Sequence, residues 1–387
     1  MTARVEVHSE LLTWACERRG LDVGSVAERL PAFDAWMNGE RHPTLRQLEQ
    51  FARITNTPIG YFLLPSPPEE PVPIPDFRTM RRADVDRPSP DLLDTIYLCQ
   101  QRQEWYRLFA RSAGEPPLGF VGSATLGAPV RETARELREA VGFDLDARQR
   151  MATWSEALRC FIDLADHHGV LVMVSGVVGS NNRRKLDPEE FRGFALTDEW
   201  APLVFINGAD TKAAQMFTLA HELAHVWLGK SALSDVAPCR GRGADVPNET
   251  EDWCNSVAAE FLVPLSVLRE ELDSGGALRE QMDRLARRFK VSTLVILRRM
   301  HDAGVLSRSR MWEEYRRELD RLRGLSSRGG GGEFYRTQTA RTGRRFARAL
   351  VVSTLGGQTL HRDALRLLGF SKTETFQKFG AHLGVVG

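Results

Sequence analysis

The sequence predicts an α+β protein with an all-α bundle at its amino terminus and a helical carboxy-terminal segment. Apolar residues recur at helical spacing through residues 1–65, and a proline-rich stretch at 66–92 then breaks that pattern. Further on, three runs rich in β-branched and aromatic residues, GVLVMVSG, FRGFALT and PLVFING, lie between a helical stretch and the apolar helix FTLAHELAHVWLG.

Each element has its own local signal. Leu11 to Arg19 and Val23 to Leu30 carry the helical period, and Thr44-Leu-Arg-Gln47 has the form of a capping box that opens a third helix. Prolines in SPPEEPVPIPDF remove backbone donors and favour extended chain, so 66–92 reads as a linker. Amphipathic helices are expected over Pro90 to Ser112, Val130 to Ala140 and Thr153 to His168, with His167 and His168 ending the last, where the dipole favours a cation. After the three strands and the FTLAHELAHVWLG helix, Glu249 to Val263 forms another helix stopped by Pro264. Residues 277–306 read as a helix-turn-helix with its turn at Lys290-Val-Ser292. A charged helix from Trp312 to Arg323 then leads through SSRGGGGEF into a basic, mostly helical region, 307–387 as a whole.

Composition excludes several classes. The chain has 387 residues, 42% apolar and 27% charged, enough for a sizeable core in two or three units. Lys and Arg number 52 against 51 Asp and Glu, so the molecule as a whole does not call for a polyanion. The first residues have no apolar signal core, and the longest apolar run, Gly169 to Val178, is far short of a membrane span. Five scattered cysteines without a C-x-x-C pair suit a reducing compartment. Cytoplasmic residence and no membrane partner are therefore expected.

The chemistry concentrates in His221-Glu222-Leu-Ala-His225. Histidines at i and i+4 point from one helix face about a turn apart, so both rings can reach one zinc ion, with the intervening glutamate beside the open position where a water would stand. Metal ligation offsets the cost of burying three polar groups in so apolar a helix. A third protein ligand is needed. In NETEDWCNSVAAEFLVP, Glu251 shares a helix face with Asn255, Ala258, Ala259 and Leu262, and the alanines allow a second helix to approach. Glu251 is the foremost candidate, with Glu249, Asp252 and Glu260 as alternatives.

These two stretches together, FTLAHELAHVWLG and the ExxCNxxAAEFLVP of Glu251 to Pro264, resemble the ImmA/IrrE metallopeptidases over roughly residues 150–306. The resemblance implies a zincin-like (gluzincin) core within a peptidase domain at 93–306, with His221, His225 and Glu251 as zinc ligands, Glu222 as general base and Asn255 in a structural role. It also implies a protein substrate of the repressor or antitoxin kind, in a bacterial stress, phage-defence or toxin-antitoxin response. Residues 1–65 resemble the Cro/C1-like helix-turn-helix domain fused to a subgroup of that family, although only Pro31 to Ala35 stand where a full recognition helix would lie.

Other features weigh less. Cys239, between the two zinc-site helices, could place a thiolate on the open zinc position as a latency switch. Ten arginines from Arg316 to Arg348 face Glu318, Asp320 and Glu333, and Arg287, Arg288, Lys290, Arg298 and Arg299 precede them. A DNA or single-strand contact through 277–350 is one reading of this excess, and a solvated face is the other. Tyr315, Tyr335 and His361 are candidates to fold over the metal on side-chain chemistry alone. The leading expectation is a zinc metalloendopeptidase holding its peptide against FRGFALT or PLVFING as the sheet edge. Its alternative is a DNA-binding regulator or antitoxin whose peptidase fold senses a signal without cutting.

Overall fold

A computed structural model of the chain describes residues 3–76, 88–234, 248–273, 275–323 and 333–385. It divides into two compact units, the first comprising residues 1–73 with 81–96, the second 74–80 with 97–387.

In the first unit, α1 (Ser9–Arg19) ends at Gly20 in the left-handed conformation, and α2 (Val23–Arg29) starts at Asp22, whose carboxylate accepts from Ser25 N. Next come a five-residue α3 (Phe33–Met37) and α4 (Leu45–Thr55). The Thr44–Gln47 capping box is formed in both directions. A 3₁₀ turn (Ile59–Leu63) follows, and Leu11, Trp14, Phe33, Trp36, Phe51 and Phe62 make the core. Phe51 links Phe33 and Phe62, with ring centroids 5.2 and 5.3 Å away. The shortened segment at 31–35 thus gives barely more than one turn of helix.

The division between the units falls inside α5 (Pro90–Ser112). The second unit continues with α6 (Val130–Val141), α7 (Leu145–Arg150) and α8 (Trp154–His167), then β1 (Leu171–Ser175), β2 (Gly193–Leu196) and β3 (Leu203–Asn207). After these come α9 (Lys212–Leu228), β4 (Ala232–Ser234), α10 (Glu249–Leu262), α11 (Leu265–Glu271), α12 (Leu278–Phe289), α13 (Thr293–Asp302) and α14 (Arg308–Arg323). Four helices close the described chain: α15 (Phe334–Thr342), α16 (Arg344–Leu355), α17 (His361–Leu368) and α18 (Thr373–His382). Lys290 takes the left-handed conformation at the turn between α12 and α13, with φ of 52°, and the Ser292 hydroxyl caps α13 by accepting from Val295 N.

Among the described residues the strands form one sheet in the order β1-β3-β2-β4. β1 runs parallel to β3, while β2 is antiparallel to both β3 and β4. This corrects the expected edge. FRGFALT supplies β2 and PLVFING supplies β3, and both are interior strands. The edges are β1 and the three-residue β4, a strand too short to leave a periodic signal. Helix α9 packs against β2 and β3 and against α8 and α10, so it lies at the centre of the unit. Every residue of α9 from Gln215 to Leu228 is buried, which explains why its sequence is apolar all round rather than along a stripe.

Of the basic residues offered for nucleic-acid contact, Arg299 and Lys290 are buried, and Arg288 is ion-paired to Glu271 and Asp146. Arg298 pairs with Asp302, and Arg287 stands exposed. Tyr315 is buried in the main core, Tyr335 stacks with Phe379 and His382, and His361 packs on Phe376, so all three serve in helix packing.

Candidate metal centre

Two helices bring the site together. The Thr211 side chain caps α9 by accepting from Ala214 N, and two turns further on His221 and His225 project from the same face. Helix α10 begins at Asn248, whose Oδ1 accepts from the amides of Thr250 and Glu251 at 3.1 and 3.2 Å. That cap fixes Glu251 in the first turn, where the helix dipole favours a carboxylate.

The ligand atoms converge. His221 Nε2 lies 3.1 Å from His225 Nε2 and 3.3 Å from Glu251 Oε2, and His225 Nε2 lies 3.0 Å from Glu251 Oε1. Tetrahedral bonds near 2.0 Å hold ligand atoms roughly 3.3 Å apart, so a zinc ion fits this donor set with little adjustment. His221, His225 and Glu222 are wholly buried and Glu251 is 2% exposed. Among the described residues this is the one His, Cys, Asp or Glu group with metal-ligand spacing. The alternatives to Glu251 fall away: Glu249 and Asp252 are exposed, and Glu260 is ion-paired to Arg299 at the far end of α10.

Electrostatics follow from burial. Desolvation pushes Glu222 well above the usual carboxylate range, and the charge of Glu251 pushes it the same way. The Ser234 hydroxyl, beside it but short of hydrogen-bond geometry, acts weakly against them. Burial alone would raise Glu251 too, but His221 and His225 outweigh it and hold that carboxylate below the usual range. His225 is shifted down by burial and by neighbouring His221, so its ring is neutral and able to ligate. Cys254, on the next turn of α10, is pushed up by burial and by Glu251 and Glu222, and stays a thiol.

Some residues escaped sequence reasoning. Gly193 on β2 is one: a Cβ there would stand 2.5 Å from Thr218 Cγ2, 2.9 Å from Phe205 O and 3.2 Å from Glu222 Oε1. Helix α9 therefore approaches the sheet closely because position 193 has no side chain. A glycine inside a strand pattern is the signal for such an approach. Three arginines were also missed as a group. At the far end of α10, Arg138 donates to Phe261 O (3.1 Å) and Glu260 O (2.8 Å), Arg148 to Leu262 O, and Arg299 to Val263 O (2.9 Å). His168 is no helix-end cation: it packs against Phe120, which stacks on Trp227, and burial shifts its pKa down. Asn255 Oδ1 is buried with no partner among the described residues, and Cys239 lies outside the described residues.

The family model described as the IrrE N-terminal-like domain matches residues 165–301, a span that includes His221, Glu222, His225 and Glu251. A second model, described as a domain of unknown function, covers residues 342–382, from the end of α15 to α18. The chain is similar to a curated relative, the radiation response metalloprotease IrrE of Deinococcus radiodurans, with 32% identity over 148 residues. The match takes in 38% of this chain and spans 43% of that relative's length. No solved structure gives a significant match. No helix among the described residues is long and apolar enough to cross a membrane.

Proposed function

We propose that the chain is a zinc-dependent endopeptidase acting on a regulatory protein. The observation that carries this is the convergence of His221 Nε2, His225 Nε2 and a Glu251 carboxylate within bonding reach of one ion, with Glu222 buried beside them. Zinc held there would polarise a peptide carbonyl and acidify a water. The protein's own part is proton handling. Glu222 takes a proton from the water as its oxygen adds to the scissile carbonyl, and passes that proton to the departing amine nitrogen as the C–N bond breaks. Its raised affinity for a proton, set by burial and by Glu251, suits it to hold the proton between the two steps. A repressor or antitoxin-like protein is the substrate class we favour, on the likeness of residues 165–301 to a domain found in a radiation response metalloprotease.

The test is elemental analysis joined to cleavage. The parent should carry close to one zinc per chain, and His225→Ala and Glu251→Ala should lose it. Glu222→Gln should keep the zinc and lose cleavage by about 10²- to 10⁴-fold. A well-folded parent that takes up no zinc when the metal is supplied would overturn the reading.

A further inference from the structure

One edge of the sheet is taken by the chain itself. The Leu233 amide in β4 donates to Pro75 O at 2.9 Å, Asp76 pairs with Leu233 in a parallel bridge, and Ile74 is buried. On its other side β4 pairs with β2, with Ala232 opposite Ala195, Leu233 opposite Phe194 and Ser234 opposite Gly193. The Gly193–Ser234 rung abuts Glu222, since a Cβ on Gly193 would come 3.2 Å from its carboxylate. Of the two sheet edges β4 is thus the one beside the metal centre. The other, β1, is separated from it by β3 and β2 and lies against the turn into α16, where a Cβ on Gly343 would meet Val172 O at 3.0 Å.

A peptide held as an added strand with its carbonyl near Glu222 has to use the outer edge of β4. We propose that residues 74–76 occupy that edge in cis, so that the resting chain is self-inhibited and a substrate strand must displace its own Ile74-Pro75-Asp76. The role of the edge as a substrate site rests on the peptidase reading. Its occupancy does not. The sequence suits a tethered occupant. Pro71, Pro73 and Pro75 alternate along EPVPIPD and hold it extended before it docks, so little chain entropy is lost on the edge. Proline has no N–H, so the ladder cannot extend upstream of Pro75. Among the described residues the occupant makes one bridge, Asp76 to Leu233.

Pro73→Gly with Pro75→Gly, made in the full chain, should loosen the segment by about tenfold through its unbound entropy without touching α9 or α10. Ile74→Asp, which removes the buried anchor, serves as an independent second variant. Three readouts apply: hydrogen exchange at the Leu233 amide, binding of a labelled synthetic EPVPIPDF peptide to zinc-loaded protein carrying Glu222→Gln, and cleavage of unfolded β-casein by protein retaining Glu222. Both variants should exchange Leu233 about tenfold faster, bind the peptide about tenfold more tightly, and cut casein faster by a similar factor. Added peptide should restore protection at Leu233. Equal peptide binding and equal Leu233 exchange in parent and variants would overturn the proposal, and so would faster exchange without any gain in peptide binding. Tighter binding with restored Leu233 protection, but no casein cleavage by any form, would leave the edge assignment standing and count against the peptidase reading instead.

Discussion

Position 193 determines how the chemistry of this protein meets its sheet. With glycine there, Thr218 and Glu222 of α9 lie directly over β2, and of the atoms a Cβ would strike, Phe205 O is backbone and cannot swing aside. Gly193→Ala should therefore cost about 1–3 kcal/mol, as overpacked cores do, and displace Glu222 from the ligand cluster. A lowered denaturation midpoint together with weaker zinc retention would bear this out, and an unchanged midpoint would show that α9 can shift freely. How much of the site was legible also turns on single residues. His221, Glu222 and His225 are visible because i, i+4 spacing is a local property of one helix. Glu251 was one choice among four carboxylates until the structure exposed Glu249 and Asp252 and paired Glu260 with Arg299. His168 misled for the converse reason. Its place at a helix end is local, but the Phe120 and Trp227 rings that keep it neutral come from distant parts of the chain.

Whole elements were legible where their signal is long. Helices α5, α8, α10 and α12 fall within a residue or two of expectation, because each is long, amphipathic or capped by a recognisable residue, whereas α13 ends at Asp302, short of the expected 306. β4 was not, since three residues carry no period, and missing it moved the edge of the sheet onto the wrong strands. The clamp on α10 was equally hidden: Arg138, Arg148 and Arg299 lie on three other helices yet satisfy its last carbonyls, so the ligand helix is fixed at the end opposite Glu251. Burial, reinforced by Arg138 and Arg288, lowers Arg148 to about 9, still protonated near neutral pH. Glu318 ties α12, α13 and α14 in a similar way, accepting from Arg279, Thr293 and Arg321. Burial would raise its pKa, but the hydrogen bonds from Arg321, Thr293 and Arg279 prevail and bring it from 4.5 to about 2. The folded value lies below the unfolded one, so this stabilisation is complete above pH 4.5 and is lost as pH falls toward 2. Because Arg279 and Arg321 are partly exposed, solvent screening leaves about 1–2 kcal/mol. Glu318→Gln should lower stability by that amount at pH 7 in urea titrations. The gap should narrow at pH 4 and again at pH 3, and a gap independent of pH would show that the carboxylate charge is not what holds α14.

At the scale of the molecule, the two compact units have separate apolar cores, one around Leu11, Phe33 and Phe51 and the other around α9. The candidate ligands His221, His225 and Glu251 all belong to the second, on two helices, α9 and α10, that its long-range packing brings together. Zinc should therefore bind the folded second unit in preference to its unfolded chain. By mass action, free zinc at a hundred times its Kd adds about 2.7 kcal/mol to whatever binds it, which for a unit of this size raises the transition by roughly 5 °C. Calorimetry should show a zinc-dependent transition that rises with free metal and a second transition that does not move. Glu251→Ala should leave both transitions insensitive to zinc. The pH dependence follows from the ligands. His225 is held neutral by burial in the fold and gives up no proton on binding zinc, whereas a free histidine takes up a proton near 6.5, so acid lowers the stability of the metal-free fold by protonating the unfolded chain rather than by competing with zinc at His225. The metal-free midpoint should accordingly fall as pH drops from 7.5 through 6.5, while the rise produced by zinc is retained over that range. If zinc moved the other transition, or moved both equally in Glu251→Ala, the metal would be binding somewhere other than between α9 and α10.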